Sequence, residues 1–361
     1  MSTKVINLSL DEKKRMIFIS DIHGNISLFK ELLTKVNFSD DDYLFVLGDM
    51  IEKSNNNLQT LDYFMNLSKK SNVYIICGNC DNVLSYMIKD VDDKLLKHYA
   101  LKLKRTILLE FANKLNIRVD DDTNMEELCN LSYTKFKKYY DFVLNLPHAY
   151  IINNKICAVH GGIESIKSIS NNPLDLMKND CFYEKTKGTD IIEIVGHYPV
   201  VNYQHQIPSL NPIIDLDKKI ISIDGGVSVL PWAQMNALLI NNINTFEYTT
   251  SYVDSYQKIR VIMDTNPVDY EYYNVTHSPV EVNNVIKDGD FFVANHKDYK
   301  LFFPKDNLIE KEDRFFVYNA FNYFIKLKKD DVVSLVYKGK SLSIVKKNGV
   351  VGICETKCLE V

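Results

Sequence analysis

Three times in its first 81 residues the chain repeats one phrase: a short apolar run, a polar tip, and a helical pattern. Met16-Ile17-Phe18-Ile19 runs into Ser20-Asp21-Ile22-His23-Gly24-Asn25, and then Leu28, Phe29, Leu32, Leu33 and Val36 recur at three-to-four-residue spacing. Tyr43-Leu44-Phe45-Val46-Leu47 ends at Gly48-Asp49-Met50-Ile51-Glu52-Lys53-Ser54, and an Asn-rich turn at 55–57 opens a helix carrying Leu58, Leu61, Phe64, Met65 and Leu67. Val73-Tyr74-Ile75-Ile76-Cys77 ends at Gly78-Asn79-Cys80-Asp81. Repetition of this kind predicts parallel strands joined by helices, with every tip delivered to the carboxyl edge of one sheet. A metal-capable side chain stands at each tip.

The rest of the chain departs from that pattern. Residues 83–146 read as helical throughout, and Thr123-Asn124-Met125-Glu126 has capping-box spacing. This insert is expected to cover a sheet face or to form a lid or wall over the site. A hairpin follows, Tyr150-Ile151-Ile152 and Ile156-Cys157-Ala158-Val159 about an Asn153-Asn154 turn, running into His160-Gly161-Gly162. Further short strands lead to Gly196-His197-Tyr198-Pro199 and to Asp224-Gly225-Gly226, so the second half reads as antiparallel and hairpin-rich, a second sheet packed on the first. Beyond about residue 255, short β runs and many lysines take over, with tight turns at Lys338-Gly339-Lys340 and Asn348-Gly349. A run at Lys287-Asp288-Gly289-Asp290-Phe291-Phe292-Val293 looks like a weak second copy. The expected division is 1–254 for one domain, with the insert inside it, and 255–361 for a small all-β one.

Composition limits the partners. With 46% hydrophobic and 25% charged residues the chain can bury a sizeable core, and its net charge of −4 argues against generic binding to nucleic acid or anionic membrane. Its seven cysteines are irregularly spaced and form no disulfide framework, and Cys77 and Cys80 read as a buried strand residue and a loop residue. No apolar run reaches membrane-spanning length, so a cytoplasmic location is expected. Arginine is scarce: only Arg15, Arg105, Arg118, Arg260 and Arg314 occur.

The tips together carry the chemistry. Asp21, His23, Asp49, Asn79, His160 and His197 each stand at a strand end, and carboxylate, imidazole and amide oxygen suit first-row divalent ions. Two such ions about 3.5–4 Å apart stabilise entering and leaving oxygens in phosphoryl hydrolysis. The ordered set Asp-x-His-Gly, Gly-Asp, Gly-Asn, His-Gly-Gly, Gly-His resembles the calcineurin-like metallophosphoesterases. Gly196-His197-Tyr198-Pro199, Asp224-Gly225-Gly226 and Leu146-Pro147 look most like the PPP-type serine/threonine phosphatases and their diadenosine tetraphosphatase relatives; the C-terminal ending resembles bacterial SH3-like domains.

The resemblance implies an α/β, α+β sandwich fold, two mixed β-sheets flanked by helices in four layers, with a small barrel-like C-terminal domain. It implies two divalent metal ions, manganese first and iron or zinc as alternatives. Asp21, His23 and Asp49 would hold one ion; Asp49, Asn79, His160 and His197 would hold the other, with Asp49 bridging. A hydroxide shared by the two would attack phosphorus in line.

Departures from the family pattern bear on the substrate. Where the family has Gly-Asp-x-Val-Asp-Arg-Gly, this chain has Glu52 and Lys53 in place of aspartate and arginine; where it has Gly-Asn-His-Glu, this chain has Cys80 and Asp81. The leaving-group acid pair thus becomes Cys80 and Glu52, and the phosphate clamp becomes Lys53, with Asn79 beside it. A second family arginine between the His-Gly-Gly and Gly-His motifs is absent. Lysine cannot grip phosphate bidentately, and a thiol is a poor substitute for an imidazolium acid.

The leading expectation is a serine/threonine phosphatase-like phosphomonoesterase acting on a phosphoprotein. The alternatives are a nucleotide pyrophosphatase of the diadenosine tetraphosphatase kind or a phosphodiesterase, and a catalytically weak phospho-binding protein. The C-terminal barrel is expected to bind a protein partner or to pack on the enzyme. His98, His277 and His296 read as partnerless surface residues, and His148 and His205 as surface residues that could replace the missing acid.

Overall fold

The structure is a computed structural model describing every residue except 1, 90, 268–270, 277, 289 and 290. The expectation for His277, and the centre of the run at 287–293, therefore lie outside the described residues. By contact the chain divides into two compact units: residues 1–198, 212–229 and 235–253, and residues 199–211, 230–234 and 254–361.

The first unit opens with β1 (Val5–Leu8), a partly buried strand that the alternation of its four residues does not advertise. It continues through β2 (Met16–Ile19), α1 (Ile26–Lys35), β3 (Tyr43–Val46), α2 (Asn57–Leu67) and β4 (Val73–Ile75). Strands β2, β3 and β4 are parallel, pairing Ile17 with Leu44 and Val46 with Ile75, as the repeated phrase requires. Both faces of these strands are buried, which is why they read as unbroken apolar runs. Met16, Phe18 and Phe45 join Tyr150, Ile152, Ile194 and Ile221 in one core, and Phe18 stacks on Phe45 with centroids 4.8 Å apart. Ile17 and Ile19 alternate to the other face and are equally buried. Phe29 of α1 and Phe64 of α2, fully buried, meet edge-on at 5.1 Å. Each such phenyl ring contributes about 2–3 kcal/mol by leaving water.

The insert is helical, as expected: α3 (Val83–Lys89), α4 (Asp93–Leu103), α5 (Ile107–Lys114) and α6 (Met125–Asn145). Its capping differs in detail. Asn124, not Thr123, is the N-cap of α6 and accepts from Glu127 N at 3.0 Å, while Thr123 Oγ1 accepts from Asp120 N at 2.9 Å. Asparagine is the stronger N-cap of the two.

The chain then forms β5 (Ala149–Ile152), β6 (Ile156–Val159), α7 (Pro173–Met177), α8 (Phe182–Lys185), β7 (Ile192–Val195), β8 (Ile213–Asp215), β9 (Ile220–Ser222), β10 (Met235–Asn242) and β11 (Glu247–Val253). The β5–β6 hairpin turns on Asn153 and Asn154, both left-handed at φ 49° and 55°. The expectation of an antiparallel second half needs correction: β6, β7 and β9 run parallel. The connection at 160–191 carries two short helices and returns the chain to its starting edge, a crossover that local hairpin signals do not reveal. One sheet therefore has the order β1-β5-β6-β7-β9-β8 and the other β11-β10-β2-β3-β4, both mixed. Leu176 and Phe182 of the short helices pack with Cys157, Val159 and Ile220. This is the helix-flanked sandwich of two mixed sheets.

The second unit is all-β. It contains β12 (Gln257–Arg260), β13 (Asn274–Val275), β14 (Val280–Asp288), β15 (Phe291–His296), β16 (Tyr299–Pro304), β17 (Leu308–Lys311), β18 (Arg314–Val317), β19 (Ala320–Phe321), β20 (Val332–Lys338), β21 (Leu342–Lys347) and β22 (Val350–Glu355). Its sheets, β12-β20-β21-β22 and β13-β19-β16-β15-β14-β18-β17, are antiparallel and form a half-barrel. Trp232, Val201 and Leu210 share a core with Phe291, Phe321, Ile344 and Ile353. That burial is why two earlier segments belong here. Lys346 is fully buried, its Nζ 3.0 Å from Asp254 Oδ2 and donating to the carbonyls of Trp232 and Ala233. His296 is not partnerless: its Nδ1 lies 2.8 Å from Glu281 O and its ring 5.5 Å from that of Tyr273.

Candidate active site

The strand tips are drawn together by backbone hydrogen bonds. Asp21 N donates to Gly48 O, His23 N to Asp49 O and Gly24 N to Met50 O, while Gly196 N donates to His160 O. The Asp81 carboxylate ties two tips at once, accepting from Met50 N at 2.9 Å, Ile51 N at 3.2 Å and Gly78 N at 2.9 Å. Room is made by glycine. A Cβ at Gly78 would stand 2.2 Å from Asp49 Oδ1, and one at Gly196 would stand 2.4 Å from Asp21 Oδ2. Asp21, His23, Asp49, Glu52, Lys53 and His197 all adopt left-handed backbone, with φ between 45° and 73°. Each such residue costs of order 1 kcal/mol or more, and strain of this kind collects where side chains must be aimed.

All six expected metal ligands converge in one crevice. His160 Nε2 lies 3.3 Å from Asp49 Oδ1 and 3.1 Å from Asn79 Oδ1. His23 Nε2 lies 3.8 Å from Asp49 Oδ2 and 3.9 Å from Asp21 Oδ1. His197 N donates to Asp21 Oδ2 at 3.0 Å, and its Nε2 meets Asp180 Oδ1 at 2.7 Å. Two donor groups emerge, Asp21–Asp49–His160 and His23–Asp49–Cys80, each with its atoms within 4.8 Å of one another. Asp49 belongs to both.

Donor chemistry fits divalent cations. His160 Nδ1 reaches Leu47 O at 2.6 Å and His23 Nδ1 reaches Ile51 O at 3.1 Å, so each ring donates there and turns Nε2 toward the carboxylates. Burial, reinforced by the Lys53 ammonium, holds His23 down to about 3, so the ring is neutral. Burial also opposes a charge on His160, but Asp49 and Asp21 overcome it and raise the ring to about 10. Burial likewise opposes charge on Asp49, yet His160, His23 and Lys53 hold its carboxyl well below the usual range, while burial and the Asp49 charge raise Asp21. Among the six, the carboxylates of Asp21 and Asp49 lie against three imidazoles, and Asp49 is common to both donor groups. A cation held by His160 would have to displace the proton on its Nε2.

Lys53 enters the crevice itself. Its Nζ stands 3.1 Å from His23 Nε2, and the carboxylates of Asp49, Asp21 and Asp224 help keep it charged despite burial. Glu52, its neighbour, turns the other way. Fully buried, it accepts from Tyr99 Oη at 2.6 Å and from Ile107 N at 2.8 Å, and burial pushes it up to about 7. Cys80 remains at the crevice, its Sγ 3.5 Å from Asn79 Nδ2, and burial followed by the Asp49 charge keeps it a neutral thiol. His148 is buried elsewhere, accepting from Lys4 N at 2.9 Å, and His205 belongs to the second unit. His98 is exposed on α4.

Some contributors escape the sequence reading. Asp81 was readable only as the residue after Cys80. Asp180 sits in an irregular segment with no repeating signal, and Tyr99 reaches Glu52 from a helix whose spacing says nothing of this contact.

Two donor clusters sharing an aspartate, at the strand tips of a two-sheet sandwich, define a metal-dependent phosphoesterase. The chain belongs to the calcineurin-like phosphoesterase family, whose sequence profile matches residues 14–224 and so spans every tip and Asp224. The chain is accordingly a hydrolase of a family that typically binds two metal ions. Among curated proteins, a symmetrical bis(5′-nucleosyl)-tetraphosphatase of Buchnera aphidicola from Acyrthosiphon pisum is 28% identical over 154 residues, 37% of this chain and 56% of that protein. Its counterpart from the Schizaphis graminum symbiont is 36% identical over 83 residues, covering 23% of this chain and 30% of that one. The chain thus spans about half, or less, of the length of these relatives. Among solved structures, a protein serine/threonine phosphatase from Saccharomyces cerevisiae aligns over 71% of this chain and 85% of its own, at 9% identity and a TM-score of 0.42.

Proposed function

We propose that the chain hydrolyses phosphoanhydride bonds in nucleoside polyphosphates, with dinucleoside tetraphosphates as the substrate class. The observation that carries this reading is that neither residue standing at the family's acid positions is suited to protonate a poor leaving group. Glu52 faces Tyr99 and Ile107, and Cys80 is a thiol held far above its ordinary range. A serine or threonine alkoxide leaves badly without a proton, whereas a nucleotide phosphate leaves without one. The activity for which those relatives are named points the same way.

On this reading Asp21, His23, Asp49, Asn79, His160 and His197 hold two divalent cations, manganese being our first choice. Such cations neutralise phosphoryl charge and acidify water. The chain's own residues supply orientation. Asp49 serves both positions, Asp180 fixes the His197 ring, and Leu47 O and Ile51 O fix His160 and His23. The Lys53 ammonium provides a further positive charge for non-bridging phosphate oxygens, as a point charge and not a bidentate clamp.

The test is a substrate series at saturating Mn²⁺: diadenosine tetraphosphate, p-nitrophenyl phosphate, a simple alkyl phosphate and a phosphoserine peptide. We expect rates to fall steeply as leaving-group pKa rises, with the tetraphosphate favoured. Turnover of the phosphopeptide as fast as the tetraphosphate would instead establish the phosphoprotein phosphatase reading. Asp49→Asn should lower kcat/KM more than about 100-fold on every substrate; retention of activity would remove the shared-ligand role.

A further inference from the structure

Beside the insert lies a cavity of about 640 Å³, within the range of small-molecule sites, lined by α5 and the segments flanking it. Lys104, Arg105 and Arg118 stand on its wall, and Leu109 and Ile117 supply apolar surface. The arginines are telling, because the chain has so few. Arg15 pairs with Asp42, Arg260 with Asp330 and Arg314 with Glu281. Arg105 and Arg118 pair with no described carboxylate. The acid on the same wall, Glu110, is already engaged: its carboxylate accepts from Asn57 N, Asn57 Nδ2 and Leu58 N at 2.6–3.0 Å.

The cavity and the candidate active site are linked along the chain. Asn55 on its wall is two residues from Lys53, and Thr106 on the same wall precedes Ile107, whose N–H is bonded to Glu52. Two unpaired guanidinium groups offer the planar, forked donors that phosphate oxygens accept bidentately. Apolar surface next to them suits a nucleobase face.

We infer that this cavity is a nucleotide subsite, with Arg105 and Arg118 gripping phosphates at the far end of a polyphosphate substrate whose scissile anhydride lies at the metal-ligand crevice. The arginine grip that the crevice lacks is supplied from the insert. This inference rests on the anhydride reading above for its substrate, but the cavity can be tested without turnover.

The experiment uses the full-length protein and the double variant Arg105→Ala/Arg118→Ala, both checked for native circular dichroism and melting. Calorimetric titration with ADP, against inorganic phosphate as the small-anion control, should show ADP binding that weakens about 10-fold or more in the double variant. Equal ADP affinity in the two proteins overturns the inference. So does absence of ADP binding in the wild type. In parallel, the ratio of kcat/KM for diadenosine tetraphosphate to that for p-nitrophenyl phosphate should fall about 10-fold or more in the variant. An unchanged ratio in an enzyme that cleaves the tetraphosphate overturns the subsite and leaves the anhydride reading standing. A wild type that does not cleave the tetraphosphate at all removes the anhydride reading, and the ADP titration then decides the cavity by itself. The double variant Arg105→Lys/Arg118→Lys should recover only part of the loss, since lysine restores charge but not the fork.

Discussion

Lys53 and His23 compete for one place. An ammonium 3.1 Å from a bare imidazole nitrogen occupies space that a cation bound to that nitrogen would need. Lys53→Met should therefore increase Mn²⁺ uptake, seen by calorimetry and by elemental analysis as tighter binding or a higher stoichiometry. Uptake no better than wild type would show that Lys53 swings aside at no cost. A second prediction concerns Glu193, buried beside Cys157, whose Oε2 accepts from Ile163 N at 3.2 Å and so steadies the segment after His160. Burial pushes its carboxyl from 4.5 up to about 8, Asp190 assisting. Between those values the folded protein holds a proton that the unfolded chain releases. This contribution to stability is therefore whole below about pH 4.5 and is lost as pH rises toward 8. Glu193→Gln should flatten the fall in the urea midpoint between pH 5.5 and 8 and make the variant the more stable of the two at pH 8, by roughly 1–3 kcal/mol. Parallel pH profiles for both proteins would refute it.

At the scale of elements, the insert is held down at several points. Glu52 takes the α4 hydroxyl of Tyr99 and the first N–H of α5; Glu110 of α5 caps the start of α2; Asp62 of α2 meets Lys138 Nζ and Tyr139 Oη of α6. These contacts tie the insert to α2 and to the segment that follows β3. Glu110→Ala removes three accepted hydrogen bonds at a helix start and should cost about 1–2 kcal/mol. Hydrogen exchange should then rise in residues 57–61 and 107–114. Faster exchange spread evenly over the protein would mean that the contact is not local. None of these ties was legible in the sequence, because each joins residues more than 45 positions apart through side chains that local spacing does not distinguish. Asp180, though only 17 positions from His197, was illegible because it stands in an irregular segment. By contrast Asp21, His23, Asp49, Asn79, His160 and His197 could be read directly, since each follows an apolar strand and the strand end alone determines where it stands.

For the whole molecule, the lesson is similar. The parallel half was legible because strand, tip and helix follow one another locally, while β1 and the parallel placement of β7 and β9 depend on partners far away. The second unit shows this most clearly. Trp232 follows Pro231 in a stretch with no repeating pattern, yet it lies in a core with Phe321 and Ile353, beside the buried pair of Lys346 and Asp254. Lys346→Met leaves Asp254 without its buried partner, with Lys258 and Ser334 remaining to it, and should cost about 3–5 kcal/mol in thermal or urea unfolding. The double variant Lys346→Met/Asp254→Leu should recover much of that loss. If both variants unfold alike, the pair contributes packing and not charge compensation.

The left-handed tips bear on any attempt to engineer this protein. Six residues with side chains sit in backbone territory that glycine enters without strain, and five of them, all but Glu52, cannot become glycine without losing a side chain that lies in the crevice. Selection for heat tolerance alone would therefore find its easiest gains by dismantling the enzyme. Lys53→Gly is the plainest case, a change that relieves a strained backbone and deletes a charge buried among acids. Hardier variants recovered from such a screen should be enriched at these positions and poor in turnover, and a screen that retains activity should leave them untouched.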